Sequence, residues 1–285
     1  MADFHGAEDN ISSMKDHGIG AGQIIRRRAD GELEYLRDEL TVEEPLEIRV
    51  GRKTIATTMR TPGHDEELAA GFLLSDGVVR ASSAITNFSR PRAARNPDNI
   101  IVAYLAEGAA AKISGTRHGT ISSSCGICGK ESIDAIRQQL PPIVSAHDAR
   151  IELATLLAMP ARMREKQGEF ARTGGIHAAA LFDFAGDLQT LREDIGRHNA
   201  VDKVIGRAFL DGKIPLGQSA LLVSGRASFE IMQKALAAGI PIVASVSAPS
   251  TLAMEFAREC NQTLIGFLRP PAFNIYAHVE RVILD

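Results

Sequence analysis

Ala220-Leu221-Leu222-Val223-Ser224-Gly225-Arg226-Ala227-Ser228 is the stretch that decides the fold. Four apolar residues form a short strand, small and polar residues break it, and helical spacing resumes over Ser228–Ala238. The same exchange continues on both sides. A helix over His198–Phe209 comes before it, and strand Ile242–Ser245, helix Ser250–Glu259 and strand Leu264–Phe267 follow. Strand and helix in regular alternation predict an α/β fold, with an open sheet covered on both faces. Such sheets bind ligands where strands end and helices begin.

Upstream the pattern differs. Ile176–Phe182 and Asp187–Arg192 flank Gly186 as a hairpin, and Leu153, Leu156 and Leu157 predict a helix that bends or stops near Pro160. Pro141-Pro142 is a natural boundary. Before it, Pro45–Val50 and Thr54–Met59 read as a hairpin about Gly51-Arg52. A helix opens after Thr61-Pro62-Gly63 and ends at Asp76-Gly77, and Asn99–Leu105 is a further strand. The organisation is therefore a disordered tail over residues 1–22, an N-terminal α+β region over 23–140, and an α/β domain over 141–285.

Composition narrows the function classes. A charge of −3, 45% hydrophobic and 24% charged residues describe an ordinary globular chain with no basic surplus for nucleic acid. No apolar run reaches membrane-spanning length and no signal-peptide pattern opens the chain, so a cytoplasmic protein is expected. Three cysteines do not make a secreted disulfide framework.

Two of those cysteines stand together in Ser122-Ser123-Ser124-Cys125-Gly126-Ile127-Cys128-Gly129, inside a small, polar, aperiodic run that predicts a mobile loop. The third, Cys260, lies in a helix-like segment and reads as a core residue. Thiols at C-x-x-C spacing suit a metal, a redox disulfide or the carriage of sulfur as a persulfide. A zinc site needs two more ligands, which only a second copy of the chain would supply. A predicted helix over Glu131–Gln139 would lower a thiolate pKa, but no strand leads directly into the motif. Spacing alone leaves the three readings open.

Two turns point to an anion. Asp194-Ile195-Gly196-Arg197-His198-Asn199 and Ser224-Gly225-Arg226 each place a glycine and an arginine before a helix, as a phosphate or carboxylate receptor requires. His198 and His177 are candidates to face the same site. Glu193 and Asp194, although adjacent, do not read as a catalytic carboxylate pair. Phe267-Leu268-Arg269-Pro270-Pro271-Ala272 reads as a loop to an edge strand.

Taken in order, these motifs resemble the formate dehydrogenase accessory sulfurtransferase family (FdhD/NarQ). The resemblance runs from about Glu43 to Ile283. It rests on Glu44-Pro45-Leu46, Thr61-Pro62-Gly63, Glu67–Leu73, the Cys125/Cys128 run, Thr173–His177, Glu193–Lys203, Ser224-Gly225-Arg226 and Asn274-Ile275-Tyr276. It implies a cytidine-deaminase-like three-layer α/β/α core with an added N-terminal α+β region, and a homodimer. It also implies a sulfur carrier that accepts persulfide sulfur from a cysteine desulfurase. The sulfur would pass to the bis-molybdopterin guanine dinucleotide cofactor, carried as cargo, before its insertion into formate dehydrogenase.

By position, Cys125 would hold the persulfide, with Cys128 as its partner. Phe267, Leu268, Arg269, Pro270, Pro271 and Ala272 would contact the cofactor, although Pro271-Ala272 adds no second charge. The alternative is a non-catalytic chaperone of the cofactor with a redox-active C-x-x-C. Deaminases carry a catalytic glutamate and paired cysteine ligands at the turns where this chain has Arg197-His198-Asn199-Ala200 and Ser224-Gly225-Arg226-Ala227-Ser228. Neither zinc nor deamination is therefore expected. Arg197, His198, Ser224, Gly225 and Arg226 are instead expected to meet the phosphates of the guanine dinucleotide.

Overall fold

The computed structural model describes residues 18–107, 119–120, 140–143 and 149–284. A two-stranded antiparallel ribbon comes first, β1 (Ile19–Arg27) with β2 (Leu33–Thr41). Residues 19–22, read above as tail, are thus part of a strand. Gly20 and Gly22 hide the β-period from a pattern search, and pairing across to Leu40 and Asp38 supplies the order.

The predicted hairpin is present as β3 (Glu44–Val50) and β4 (Lys53–Arg60). With β5 (Ile85–Ser89), β6 (Ile100–Leu105) and β7 (Gly119–Thr120) it forms a sheet in the order β5-β6-β3-β4-β7. Helix α1 (Asp65–Ser75) lies between this sheet and the rest of the molecule. Its Leu68 and Ala69 pack on Leu46, Ile48 and Ile101, while Ala70, Leu73 and Leu74 join a second core on its other side. A helix buried on both sides is apolar all round, which is why DEELAAGFLLS shows no single stripe.

After a short β8 (Ile151–Glu152), α2 (Leu153–Lys166) continues through Pro160, so of the bend or stop expected there the stop is not seen. Leu156, Met159 and Met163 on the two sides of the proline all bury into one core, and this packing holds the helix together. A one-and-a-half-turn α3 (Gly168–Thr173) leads to β9 (His177–Asp183) and β10 (Leu188–Asp194). Then follow α4 (Arg197–Leu210), β11 (Ser219–Val223), α5 (Phe229–Ala237), β12 (Ile242–Ser245), α6 (Thr251–Glu259), β13 (Thr263–Arg269), β14 (Ala272–Ala277) and β15 (Val282–Ile283), which pairs with β8.

The large sheet has the order β10-β9-β11-β12-β13-β14, with β11, β12 and β13 parallel and β9 antiparallel to both of its neighbours. Strand residues alternate between two cores, as the pleat dictates. Ala179, Leu181, Leu221 and Val223 face α4, α5 and α6; Ala178, Ala180, Ala220 and Leu222 face α2. Cys260 is 4% exposed within the first core, as its sequence context suggested.

Pro141-Pro142 separates the two sheets along the chain, but the packing is continuous across it. Leu73 and Leu74 of α1 share a core with Val204 and Ile205 of α4. The two helices meet backbone to backbone. A Cβ on Gly71 would stand 2.0 Å from the Asp202 carbonyl oxygen, and one on Gly206 would stand 1.8 Å from that of Glu67. Glycine is required at both positions by this approach. Among the described residues no helix is long and apolar enough to cross a membrane.

Candidate functional site

Because β10 and β11 run parallel on either side of β9, the ends of β10, β11, β12 and β13 and the start of β9 lie along one edge of the large sheet. Five sequence candidates gather there: Arg197, His198, His177, Ser224 and Arg226.

The first turn is braced from below. Asp194 ends β10 fully buried, and its Oδ2 lies 2.7 Å from Nζ of Lys203, itself 1% exposed. The same oxygen accepts the Thr61 N–H at 3.2 Å. Its Oδ1 accepts the Gly196 N–H at 2.8 Å and Asn199 Nδ2 at 3.0 Å. Asn199 also donates to the Met59 carbonyl at 2.7 Å and accepts the Thr58 hydroxyl at 3.2 Å. A buried carboxylate is stable only when paired and hydrogen-bonded. Gly196 is the N-cap of α4, so Arg197 and His198 occupy its first turn.

Glu193 points elsewhere and accepts the N–H groups of Glu169 and Phe170 at the start of α3, at 3.0 and 2.9 Å. The two adjacent acids diverge, as expected of a pair with separate tasks.

The second Gly-Arg precedes its helix, as its sequence reading placed it. Helix α5 begins at Phe229 with Ser228 as N-cap, so Gly225 and Arg226 belong to a loop ahead of the helix. Tertiary bonds hold that loop. Ser224 Oγ accepts the Ala178 N–H at 2.9 Å, Ser245 Oγ donates to the Gly225 carbonyl at 2.7 Å, and Ala227 bridges to Pro249. Arg226 is exposed. A Cβ on Gly225 would stand 3.2 Å from Arg197 Cδ and 3.4 Å from His177 Nδ1. The two turns therefore pack on each other, and glycine permits it.

The electrostatics favour an anion. Burial, then Arg197 outweighing the opposing pull of Asp194, then Arg226, lower His177 below its ordinary 6.5. Burial, Lys234, Arg197, His177 and Arg226 push His198 down to about 3. His198 Nε2 nevertheless lies 3.0 Å from Glu230 Oε2 and 3.1 Å from Ser228 Oγ. The imidazole is neutral, so the Glu230 contact is a hydrogen bond and not an ion pair. Lys234 is itself held at 2.7 Å by Asp202, whose burial raises it while Lys234 works to lower it. The edge thus holds two arginines and two neutral imidazoles, whose protonation is suppressed first by burial and then by their cationic neighbours.

The matched family spans residues 41–283 and is described as the FdhD/NarQ family. The chain belongs to the FdhD/NarQ family. Relatives named "Sulfur carrier protein FdhD" include that of Mycobacterium tuberculosis, 49% identical over 93% of this chain and 95% of its own length. Those of Streptomyces avermitilis and Sulfolobus acidocaldarius are 47% and 41% identical, over 92% and 91% of this chain and 95% and 97% of their own. A crystal structure from Desulfotalea psychrophila, described as a formate dehydrogenase accessory protein, superposes with a TM-score of 0.74 at 24% identity. It covers 93% of this chain and 100% of that one. This likeness shows a shared mixed α/β fold.

Within this FdhD/NarQ chain, Phe267–Ala272 forms the end of β13, a Pro270-Pro271 turn and the start of edge strand β14. The Phe267 N–H donates to the Ser247 carbonyl at 3.0 Å and Arg269 Nε to that of Val246 at 3.0 Å, which ties the segment to the loop after β12. Phe267, Arg269, Pro270, Pro271 and Ala272 are exposed. Leu268 is 0% exposed, and its side chain packs in the core facing α2. Cys125, Cys128 and the helix expected over Glu131–Gln139 lie outside the described residues. Among the described residues no group of three His, Cys, Asp or Glu side chains is placed to hold a metal ion.

The bracing network of Asp194, Lys203, Asn199 and Thr61 is absent from the sequence reading. Its one sequence signal is the run of polar side chains at Asn199, Asp202 and Lys203, buried in a helix that otherwise reads as amphipathic.

Proposed function

We propose that this chain is a sulfur carrier for formate dehydrogenase, with Cys125 as the sulfur-bearing residue and the cationic sheet edge as the seat of its cofactor cargo. The observation that carries the reading is the pairing of β7 with β4. The two strands are parallel, with Ala56 opposite Gly119 and Thr57 opposite Thr120. The chain therefore leaves β7 in the direction in which β4 runs toward Met59, and Met59 is bonded to Asn199 beside Arg197 and His198. Cys125 follows Thr120 by five residues, at most about 18 Å of extended chain. The names of the relatives support the same reading, as does the C-x-x-C itself.

In this reaction the Cys125 thiolate attacks the terminal sulfur of a persulfide on a cysteine desulfurase. The donor S–S bond breaks, the donor leaves as a thiolate, and Cys125 becomes the persulfide. Attack by the Cys128 thiolate on the inner sulfur, that of Cys125, then expels hydrosulfide toward the cofactor metal and closes a Cys125–Cys128 disulfide. The two electrons come from the cysteine pair, and a cellular dithiol reductant restores it. Arg197, Arg226 and the exposed Arg269 receive phosphates of bis-molybdopterin guanine dinucleotide, with His177 and His198 beside them. The three-layer core is of the cytidine-deaminase kind, put to carrying an anion, and the protein works in the cytoplasm as a homodimer.

The decisive measurement is mass spectrometry after incubation with a desulfurase and cysteine. The expected result is a gain of about 32 Da, one sulfur atom, on Cys125. Cys125→Ala is expected to lose sulfur transfer and retain binding of guanosine diphosphate. Recovery of active formate dehydrogenase by that variant, in a strain lacking this protein, would overturn the proposal.

A further inference from the structure

We propose that Asn199 is a positioning residue: it ties β4, the strand that pairs with β7 just ahead of the cysteines in the chain, to the helix start that carries Arg197 and His198, and so sets where sulfur arrives relative to the bound anion. This rests on the sulfur-carrier reading above and assigns a role to a group which that reading leaves unused.

Asn199 is 7% exposed, and its amide spends three hydrogen bonds on two elements of different sheets. Two reach β4, from the Thr58 hydroxyl and to the Met59 carbonyl, at 3.2 and 2.7 Å. The third reaches Asp194 Oδ1 at 3.0 Å, the oxygen that also accepts the Gly196 N–H. Charge balance at Asp194 does not depend on this amide, because Lys203 lies at 2.7 Å from the other carboxylate oxygen. Thr61, just after β4, is tied to the same turn and helix by the Ile195 N–H at 3.1 Å and Lys203 Nζ at 2.9 Å, and Asn199 adds the hold on Thr58 and Met59 of β4 itself. An apolar side chain of similar size would fill the volume but would fix neither the Thr58 hydroxyl nor the Met59 carbonyl.

The neighbouring residues agree. Gly196 leaves room for the amide, since a Cβ there would stand 2.8 Å from Asn199 Nδ2. One residue before Thr58, Thr57 pairs with Thr120 of β7, the last described residue before the cysteines. Thr120, Thr57, Thr58, Asn199 and Arg197 thus form a short chain of backbone and side-chain links from the last described residue before the cysteines to the anion seat.

Asn199→Leu, Thr58→Val and Thr58→Ser separate this role from general packing. Three readouts are compared: the sulfur adduct on Cys125, affinity for guanosine diphosphate, and formate dehydrogenase activity restored to a strain lacking the protein. Sulfide release from the loaded protein to dithiothreitol, a small acceptor that has no need of the anion seat, serves as the control. Asn199→Leu is expected to keep loading, nucleotide affinity and release to dithiothreitol within about twofold while restored activity falls about tenfold. Such a fall is a change of about 1.4 kcal/mol in a barrier. Thr58→Val is expected to lose about threefold, and Thr58→Ser to recover it. Unchanged restored activity in Asn199→Leu and Thr58→Val, or a parallel loss in all readouts with a lowered melting temperature, would refute the positioning role. If Asn199→Leu does not fold, the Thr58 pair decides alone, since Thr58→Val equal to Thr58→Ser refutes it. Absence of any adduct on Cys125 in the unaltered chain would instead refute the sulfur-carrier reading beneath it.

Discussion

The two Gly-Arg turns carry the same sequence words and are built in opposite ways. Gly196-Arg197 stands on the first turn of a helix and is held from beneath by a buried ion pair, Asp194 with Lys203, that reaches into the N-terminal region. Ser224-Gly225-Arg226 stands ahead of its helix, held by the Ser224 hydroxyl, just after β11, and by that of Ser245 at the end of β12. One turn is braced by a charged pair, the other by neutral hydrogen bonds, and Asp194, Lys203 and Ser245 are all buried. A local motif therefore marks where a ligand can be met, while the support behind it comes from elements far away in sequence.

The sharpest way to break the comparison is to remove the brace of the first turn. Lys203→Met leaves Asp194 buried without its cation and is expected to cost about 3–5 kcal/mol, seen as a large fall in melting temperature. No single change in the second turn should approach that. Arg226→Ala is expected to weaken guanosine diphosphate binding about tenfold while stability stays within about 0.5 kcal/mol, because the side chain is exposed. Calorimetric titration beside a thermal melt checks both halves, and unchanged affinity would remove Arg226 from the site.

Gly225→Ala tests the contact between the turns. The new methyl meets Arg197 and His177 at 3.2–3.4 Å, and a loss of about 1 kcal/mol with weaker nucleotide binding is expected. A wild-type melt and titration would show that the turns do not depend on each other.

A separate effect is in the pH profile. His198 is held at about 3 in the fold against an ordinary 6.5. Below 6.5 the unfolded chain takes up this proton and the folded chain does not, so stability declines as pH drops from 6.5 toward 3 and is indifferent to this group above that window. Burial works to raise Glu67, but hydrogen bonds from Arg192 and His64 bring it down to about 2, and its own loss begins only as pH falls past 4.5. Between pH 6.5 and about 4.5, His198→Gln is therefore expected to flatten the decline in melting temperature, leaving a residual slope from His177. An unaltered slope would show that His198 does not resist protonation.

Much of this was legible in the chain. The strand–helix alternation after Pro142 predicted β11, α5, β12, α6 and β13 in order, because short apolar runs and helical stripes are local properties of the backbone. The β3–β4 hairpin and its turn were equally plain. Ile19–Gly22 escaped, since two glycines in a strand erase its pattern. The stop that Pro160 offered is not taken, since packing on both sides of it outweighs the missing backbone hydrogen bond.

The sequence by itself determined the order of elements, the C-x-x-C spacing, the two Gly-Arg turns and the family. Only the tertiary structure decided which side chains share one edge of the sheet, that Leu268 faces the core, and that Glu193 and Asp194 serve different helices. It also decided that Asn199 bridges two sheets. The reason is range: periodicity is set by neighbours three or four residues apart, whereas Thr58 meets Asn199 across 141 positions of chain. Contacts of that length depend on how the layers dock, and docking depends on the close approach of Gly71 and Gly206 that brings α1 against α4.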